Sequence, residues 1–405
     1  MLFFILILKQ EMVIKPTSKI NSLHRPLIIL VNNALLEIPT DRPGGIQEIL
    51  LKISEAIKDK FHIIIFSPFL YRYINKVQYN GILIEYMYYP AVRKYPPRSI
   101  FSIAFGFFGS LIFYSLIVSI NLLKYKKNLR LLILNDKSNI IPILVARLLK
   151  VKTIFSEGNN YPWLSPFLTR RPTAISWGVN LSFGKLACKL ADKIRAQSIL
   201  IKRGMINYGI SKDKIEIIPA GVDTNTFRPC DFNETNYVVG FIGRLTEEKG
   251  ADLLYDVIKT CEKELPEVKF IVLGSGPYEI MLKNLNNIAF QRSIPKTLLP
   301  TFINKADVFV STYYDFSLSD LEILSYGKPL IKVNTAEMNG LFKNYEEIIF
   351  CDKSVKDFVN KIKLLYENKD LCKKIGVNAR KKVEKEFDWK VIGEHWIRLI
   401  NSLLK

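Results

Sequence analysis

The stretch YVVGFIGRLTEEKG, residues Tyr237–Gly250, decides how the second half of this chain folds. An apolar run ends at Gly243, and Arg244 and Lys249 follow before a helical pattern begins. The pattern predicts a buried strand whose carboxyl end presents two cations beside a helix N-terminus. Ligands of open α/β sheets bind at such strand ends, and cations there suit phosphate. Two solvated surface cations are the alternative, which this position disfavours.

Apolar runs alternate with helical patterns along both halves of the chain. The strand-like runs are Leu27–Val31, His62–Phe66, Leu131–Leu134 and Thr153–Phe155, then Val238–Ile242, Val268–Leu273, Ile288–Gln291, Val308–Ser311 and Leu330–Val333. This alternation predicts an α/β fold with a doubly wound parallel sheet in each half. Because 405 residues exceed one ordinary core, we expect an N-terminal domain, 1–222, and a C-terminal domain, 223–388. The final amphipathic helix, 389–405, is expected to pack back on the first domain.

The net charge of +20 is concentrated in one half of the chain. Residues 1–200 contain 27 Lys and Arg against 10 Asp and Glu, whereas the remaining residues contain 31 against 28. Such a basic excess suits nucleic acid, anionic lipid or phosphorylated ligands. Because no recognisable nucleic-acid-binding module accompanies the charge, nucleic acid is not an expected partner. An anionic membrane surface is the expected partner of the basic half.

Ile100–Leu123 is a run of 24 residues without a charge, and basic residues flank it on both sides. Three interpretations are open: a helix lying on a membrane surface, a core helix, or a bilayer span. A span is disfavoured because it would place strands of one sheet on opposite sides of the membrane. Small residues recur at helical spacing (Ser102, Gly106, Gly109, Ser110), and so do bulky ones (Phe101, Phe105, Phe108, Ile112). This two-faced pattern favours the interfacial helix.

The sequence contains few residues that could form a metal site. The five cysteines are scattered, and only three histidines occur, His24, His62 and His395. Without zinc-site or disulfide-framework spacing, a reducing cytoplasmic compartment is favoured. No clear Asp-x-Asp metal-binding motif occurs either.

Several motifs between Ala191 and Val333 resemble those of the family 4 glycosyltransferases, which have the two-domain GT-B fold. The matching segments are Ala191–Ile194, Lys214–Thr224, Phe227–Pro229, Gly243–Leu245 with Lys249-Gly250, and Gly327–Pro329. Ala220 stands where the family usually has Asn. The resemblance implies two Rossmann-like domains facing across a cleft, with Arg244 and Lys249 holding the diphosphate of a nucleotide-sugar. Positive charge there suits the chemistry, because negative charge grows on the departing diphosphate.

Glu322 carries the central part of the resemblance. The family has two glutamates separated by seven residues, the first contacting the donor sugar and the second the nucleotide ribose. Glu322 matches the second, whereas the first falls on Tyr314, with Asp315 beside it as a candidate replacement. A structural interpretation also stands, since Ser319 and Glu322 have capping-box spacing. Ribose contact is favoured because the Gly-Lys-Pro motif follows.

Further donor-side candidates lie near these motifs. The backbone N–H groups of Ser317, Leu318 and Ser319 are expected at a helix start, where they suit the diphosphate. Gly243, Gly274 and Gly276 follow strand-like runs, and glycine lets the backbone approach a ligand closely. A Gly-x-Gly of this kind is more often only a tight strand–helix turn, and Gly274 and Gly276 are candidates because they lie one crossover from the basic pair.

The acceptor side is marked more sparsely. Gly44 and Gly45 open the first helical pattern, and the resemblance points to a glycine-rich acceptor loop there, although a helix-entry turn is equally open. Glu157 follows the strand-like run that ends at Phe155. It is a candidate for acceptor orientation or proton transfer.

These features predict a glycosyltransferase that uses a nucleotide-diphosphate sugar as co-substrate. The resemblance implies that it retains the anomeric configuration and needs no metal. The basic half and the Ile100–Leu123 run predict a lipid-linked or membrane-surface glycan acceptor and a cytoplasmic protein, peripheral on the inner face of the membrane. The missing first glutamate leaves a second class open, a non-catalytic GT-B-like protein that only binds nucleotide-sugar.

Overall fold

The computed structural model describes residues 25–32, 38, 45–69, 76–88, 110–137, 139–158, 162–163, 174–230, 237–335, 338 and 340–405. These residues form two compact units. The first lies within 1–164, 172–218 and 393–405, and the second within 219–392. Gly44 and the first ten residues of the Ile100–Leu123 run, up to Gly109, lie outside the described residues.

The described part of the first unit contains an eight-stranded sheet with the order β3-β4-β2-β1-β5-β6-β7-β8. The strands are β1 (Leu27–Val31), β2 (His62–Phe69), β3 (Lys76–Tyr79), β4 (Ile82–Tyr88), β5 (Leu129–Leu134), β6 (Lys152–Glu157), β7 (Lys193–Ala196) and β8 (Ile215–Ile217). Only the β3–β4 pair is antiparallel among the described pairs of this sheet. β1 is central and wholly buried, as its continuous apolar sequence predicts for a strand covered on both faces.

The β3–β4 hairpin at the sheet edge was not predicted. β3 alternates polar and apolar residues (KVQY), and only Asn80-Gly81 separates it from β4. Both turn residues have positive φ, 47° and 82°, as a type I′ turn requires. The Asn-Gly pair was the signal that sequence reasoning passed over.

The helices of the first unit are α1 (Gly45–Ile57), α2 (Ser115–Lys124), α3 (Ile140–Leu148), α4 (Ala174–Leu190) and α5 (Ile199–Asn207). A π-helical turn, Ser110–Tyr114, leads into α2. Val118, Ile143 and Ala187, from α2, α3 and α4, share one buried cluster with Ile29 and Phe155 of the sheet. The described end of the long apolar run therefore covers the core with one side of a helix.

The second unit is built on a six-stranded parallel sheet with the order β11-β10-β9-β12-β13-β14. The strands are β9 (Val238–Ile242), β10 (Lys269–Leu273), β11 (Ile288–Gln291), β12 (Val308–Ser311), β13 (Leu330–Val333) and β14 (Ile349–Cys351). The helices are α6 (Ala251–Glu264), α7 (Glu279–Lys283), α8 (Leu299–Asn304), α9 (Leu318–Ser325), α10 (Val355–Glu367) and α11 (Lys369–Glu386). A last helix, α12 (Trp389–Leu404), contributes its residues from Gly393 onward to the first unit.

Candidate donor-binding site

The loop that carries Arg244 and Lys249, here called the basic loop (243–250), lies beside the loop before α9 in the second unit. β10 follows β9 on one side of the sheet, whereas β12 pairs with β9 on the other, through Val308 opposite Val239. The strand order therefore reverses between β9 and β12. Such a switch point opens a crevice at the carboxyl ends of its two strands, where ligands of open α/β sheets bind.

Arg244 and Lys249 stand at this switch point in different surroundings. The Arg244 side chain is 56% exposed and forms an ion pair with Glu248, Nη2 to Oε2 3.5 Å. The Lys249 ammonium lies 3.2 Å from the centroid of the Tyr313 ring, a cation–π contact. Burial, and then repulsion from Arg244, lowers the pKa of Lys249 to about 8. One exposed cation and one desolvated cation thus flank the same crevice.

Gly274 and Gly276 hold the basic loop in place by close packing. A Cβ on Gly274 would lie 1.9 Å from the carbonyl oxygen of Gly243, and one on Gly276 would lie 2.3 Å from that of Leu245. Leu245 also donates its N–H to the carbonyl of Ser275, at 2.9 Å. Any larger residue would therefore push two loops apart, which gives these glycines a structural reason in addition to the predicted one.

The capping box at the start of α9 is not the one that the spacing suggested. Ser317 is the N-cap and accepts from the Asp320 N–H at 3.2 Å, while Asp320 Oδ2 accepts from the Ser317 N–H at 2.9 Å. The Ser319–Glu322 box is therefore wrong, because the helix begins two residues earlier. The Ser317 N–H is already engaged, which leaves those of Leu318 and Ser319 at the first turn for an anion.

Glu322 is buried, with 2% of its surface exposed. Its Oε1 accepts a hydrogen bond and ion pair from Lys296, whose ammonium also lies 5.4 Å from the Phe227 ring centroid. Because Glu322 takes no part in the helix cap, the cap cannot account for a carboxylate at this position. Lys296 supplies the counter-charge that a buried carboxylate needs.

Asp315 and Tyr314 occupy the place of the missing glutamate. Asp315 is buried, and its Oδ1 accepts from the Phe316 N–H at 2.8 Å. The rings of Tyr314 and Tyr313 are in tilted contact, with centroids 4.5 Å apart and an angle of 48° between their planes. Two aromatic rings and a loop-bound carboxylate therefore line this part of the loop.

Sequence reasoning missed Lys296 and Tyr313. Lys296 lies in a short 3-10 turn, Lys296–Leu298, that no periodic pattern announces. Tyr313 immediately precedes the position of the missing glutamate, and that aromatic neighbour was the available signal.

In the first unit, Glu157 ends β6 and is almost fully buried. Its Oε2 accepts from the Trp163 indole N–H at 3.0 Å. Nearby Arg195 is also buried and donates from Nε to the Ile218 carbonyl at 2.6 Å. Burial lowers the pKa of Arg195 to about 9, against the opposing effect of the Glu157 charge. Gly45 begins α1 and is exposed.

Membrane spans and metal clusters were sought among the described residues. None of the helices described is long and apolar enough to cross a bilayer. No group of three or more His, Cys, Asp or Glu in the described ranges is arranged to hold a metal ion.

Residues 222–382 match the family described as glycosyl transferases group 1. An uncharacterized glycosyltransferase of Methanocaldococcus jannaschii is 22% identical over 89% of this chain and 95% of its own length. The capsular polysaccharide biosynthesis glycosyltransferase CapM of Staphylococcus aureus is 26% identical over 55% of this chain and 64% of its own. This chain spans 51 to 64% of the length of three of its curated relatives.

Among solved structures, HepE of Anabaena in complex with UDP-glucose superposes with a TM-score of 0.68. The two chains are 15% identical, and the match covers 93% of this chain and 99% of that one. The likeness shows the fold, which is GT-B with two Rossmann-like α/β units, as the motifs predicted.

Proposed function

Since residues 222–382 are a glycosyl transferases group 1 domain, we propose that this chain transfers a sugar from a nucleotide-diphosphate sugar to an acceptor. The observation that carries the proposal is the pair of cations at the β9/β12 switch point, Arg244 and Lys249. Negative charge grows on the diphosphate as the glycosidic bond to it breaks. Fixed positive charge stabilises that state, and losing one such contact typically slows a reaction about 10²–10³-fold. Neighbouring structures solved with UDP and UDP-glucose support a nucleotide donor.

The geometry of the site supports the following proposed roles. Arg244 and Lys249 contact the diphosphate, together with the N–H groups of Leu318 and Ser319. Glu322 accepts hydrogen bonds from the ribose hydroxyls, and the Lys296 ammonium balances its negative charge. The family resemblance further implies that the transfer retains the anomeric configuration. Protein cations would neutralise the leaving group, so no metal is proposed.

Release of nucleoside diphosphate from a panel of UDP- and GDP-sugars, with membrane extract as the acceptor source, tests the reaction. Arg244→Ala is expected to slow release about 10²–10³-fold. Arg292→Ala, which removes an exposed guanidinium that pairs with Glu279 in the same unit, is the matched control and is expected to leave release unchanged. Release that survives Arg244→Ala unchanged would contradict the proposed site.

The acceptor is proposed to be lipid-linked or at a membrane surface, because one face of the first unit exposes many apolar side chains. α2 contacts α3, and α3 contacts α4. The exposed apolar side chains of this α2–α3–α4 face, with the turn before α2, are Ile112, Phe113, Leu116, Ile120, Leu123, Leu144, Leu148 and Leu186. Phe113, Ile120 and Leu148 are 61%, 62% and 84% exposed. An apolar patch of this kind marks an interaction surface.

Charge on the α2–α3–α4 face supports the proposal of an anionic partner. None of the three helices contains Asp or Glu. Exposed basic residues within or just after them are Lys124, Lys126, Lys127, Arg147, Lys150 and Lys189. Aliphatic side chains among cations suit an anionic lipid surface, where both parts contribute to binding. The protein is proposed to be peripheral on the cytoplasmic face, where its five free thiols remain reduced.

Sedimentation with vesicles tests this surface. The double variant Phe113→Ser/Ile120→Ser is expected to bind phosphatidylglycerol vesicles at least about tenfold more weakly, because it removes apolar area that would enter the interface. Ile280→Ser removes an aliphatic side chain that is 75% exposed in the second unit and is expected to bind like the wild type. Wild-type protein that ignores phosphatidylglycerol vesicles at low salt would refute the membrane surface while leaving the reaction standing.

Glu157 is proposed to orient the acceptor or take its proton. The Trp163 indole N–H fixes its Oε2, so the carboxylate is held in one orientation. Glu157→Gln keeps the hydrogen bond and removes the charge. We expect it to lower kcat while the donor KM stays near that of the wild type.

A second candidate function follows from the loop around Tyr314. Because an aromatic residue replaces the sugar-contacting glutamate and Lys296 already engages Glu322, a protein that binds nucleotide-sugar without turnover is the alternative. Tight UDP-sugar or GDP-sugar binding with no release of diphosphate, with or without membrane extract, would favour it.

A further inference from the structure

Lys332 is a buried cation in the middle of an apolar strand. It lies in β13 with 0% of its side chain exposed. Its ammonium donates to Ser311 Oγ at 3.0 Å and to Asp320 Oδ2 at 3.0 Å. Burying a charge is costly unless it is paired and hydrogen-bonded, so this arrangement calls for a reason beyond packing.

The other two acceptors of Lys332 are backbone carbonyls of the loop before α9. Its ammonium donates to the Tyr313 carbonyl at 2.9 Å and to the Asp315 carbonyl at 2.9 Å. These residues flank Tyr314, the position of the missing glutamate. Lys332 therefore holds the loop from Ser311 to Asp315, on both sides of that position, from beneath.

The Lys249 ammonium and the N-terminus of α9 both contact residues to which Lys332 is hydrogen-bonded. The Lys249 ammonium rests on the face of the Tyr313 ring, so the position of Tyr313 sets the position of that cation. Asp320 Oδ2, which Lys332 contacts, also accepts the Ser317 N–H that closes the helix cap. One ammonium is thus linked to the diphosphate-facing lysine and to the N-terminus of α9.

We propose that Lys332 is a positioning residue for the donor site: it fixes the Tyr313–Asp315 loop and the start of α9, and through them the Lys249 ammonium. Lys332 itself touches no substrate. The inference rests on the proposed function, because it assumes that Lys249 faces a nucleoside diphosphate.

Calorimetric titration with UDP and with GDP tests the inference without requiring turnover. Lys332→Met keeps an unbranched side chain of similar length, one heavy atom shorter, and removes the ammonium. We expect nucleoside diphosphate to bind this variant about tenfold more weakly, the size of one hydrogen bond to a charged group. Lys269→Met, at the exposed start of β10, removes a lysine that donates to Asn287 Oδ1 at 3.1 Å, and is expected to bind like the wild type.

A double variant separates positioning from stability. Lys332→Met alone leaves the Asp320 carboxylate buried without its partner, which destabilises a fold. Asp320→Asn/Lys332→Met removes both charges and keeps an acceptor for the Ser317 N–H. We expect its Tm to recover toward that of the wild type. Binding should stay weak, because the hydrogen bonds from Lys332 to the Tyr313 and Asp315 carbonyls are still missing. Recovery of binding together with Tm would overturn the inference and reduce Lys332 to a counter-charge.

The pH dependence of binding supplies a readout that a purely structural role would not move. Lys249 faces the cations Arg244 and Lys332, the carboxylates of Asp320 and Glu248, and the Tyr313 ring. Loss of Lys332 removes a repulsive charge, which raises the pKa of Lys249. The loss of affinity at alkaline pH is therefore expected to begin at higher pH in Lys332→Met. Unchanged affinity and an unchanged profile would overturn the inference alone, whereas failure of the wild type to bind either diphosphate would overturn the proposed function with it.

Discussion

At the scale of single residues, the two cations of the proposed donor site lie in different surroundings, since Arg244 is exposed whereas Lys249 contacts the Tyr313 ring. Both were predicted as site residues because they follow a strand-like run, and Glu322 because it belongs to a spaced motif. Lys332 was passed over although Leu330–Val333 was correctly predicted as a strand. A lysine inside a strand covered on both faces must be buried, and that conflict was the signal.

Hydrogen-bond partners proved harder to predict than residue types. Spacing alone fits a capping box at Ser319–Glu322 as well as at Ser317–Asp320, and only the helix start decides between them. The contact between Lys296 and Glu322 joins residues 26 positions apart. No local pattern contains such a contact, because tertiary packing creates it.

The low pKa of Lys249 predicts how donor affinity depends on pH. A diphosphate binds the charged ammonium, so affinity should be constant below pH 8 and fall by up to about tenfold per pH unit above it. The donor KM measured between pH 6.5 and 9.5 checks this. Lys249→Arg should flatten the profile because arginine keeps its charge throughout. A wild-type KM that stays level to pH 9.5 would show that Lys249 does not face the donor.

At the scale of elements, continuous apolar runs were predicted almost to the residue, as with Val238–Ile242 and Val308–Ser311. Strands that are short or lie at an edge were missed, as with β14 (Ile349–Cys351) and the β3–β4 hairpin. β14 is only three residues long and β3 is partly exposed, so neither gives a long continuous apolar run. These omissions did not affect the predicted site, because its loops follow the central strands.

Loop packing at the donor site is expected to be sensitive to a single methyl group. Gly274→Ala would place a Cβ against the Gly243 carbonyl, displacing the loop that carries Arg244. We expect a loss of about 1–3 kcal/mol of unfolding free energy, typical of overpacking, together with weaker UDP binding. Chemical denaturation and calorimetry measure both.

Gly178→Ala is the matched control for this substitution. Gly178 lies within α4, and a Cβ there would meet nothing within 4 Å. Alanine should stabilise that helix by about 0.5–1 kcal/mol and leave UDP binding unchanged. Equal effects of the two substitutions would argue against specific packing at Gly274.

At the scale of the whole molecule, each unit has its own hydrophobic core. One cluster contains Ile29, Val118 and Phe155, and the other contains Val239, Phe270 and Ile362. Separate cores favour separate unfolding transitions. Differential scanning calorimetry should therefore resolve two transitions, with UDP raising the Tm of the second unit alone. Saturation at 100 times the Kd would stabilise that unit by about 2.7 kcal/mol. A single transition that UDP shifts as a whole would contradict this independence.

The desolvated ammonium of Lys249 has a consequence for chemical labelling. At pH 8 about half of it carries no proton, whereas an ordinary lysine is almost wholly charged and unreactive. Among the lysines whose surroundings the structure describes, it is the one whose pKa is lowered to this extent. An anionic aldehyde such as pyridoxal phosphate should form its imine first at Lys249, and UDP should protect that amine. Reduction with borohydride followed by peptide mass mapping would locate the adduct, and a modified lysine elsewhere that UDP does not shield would refute the assignment.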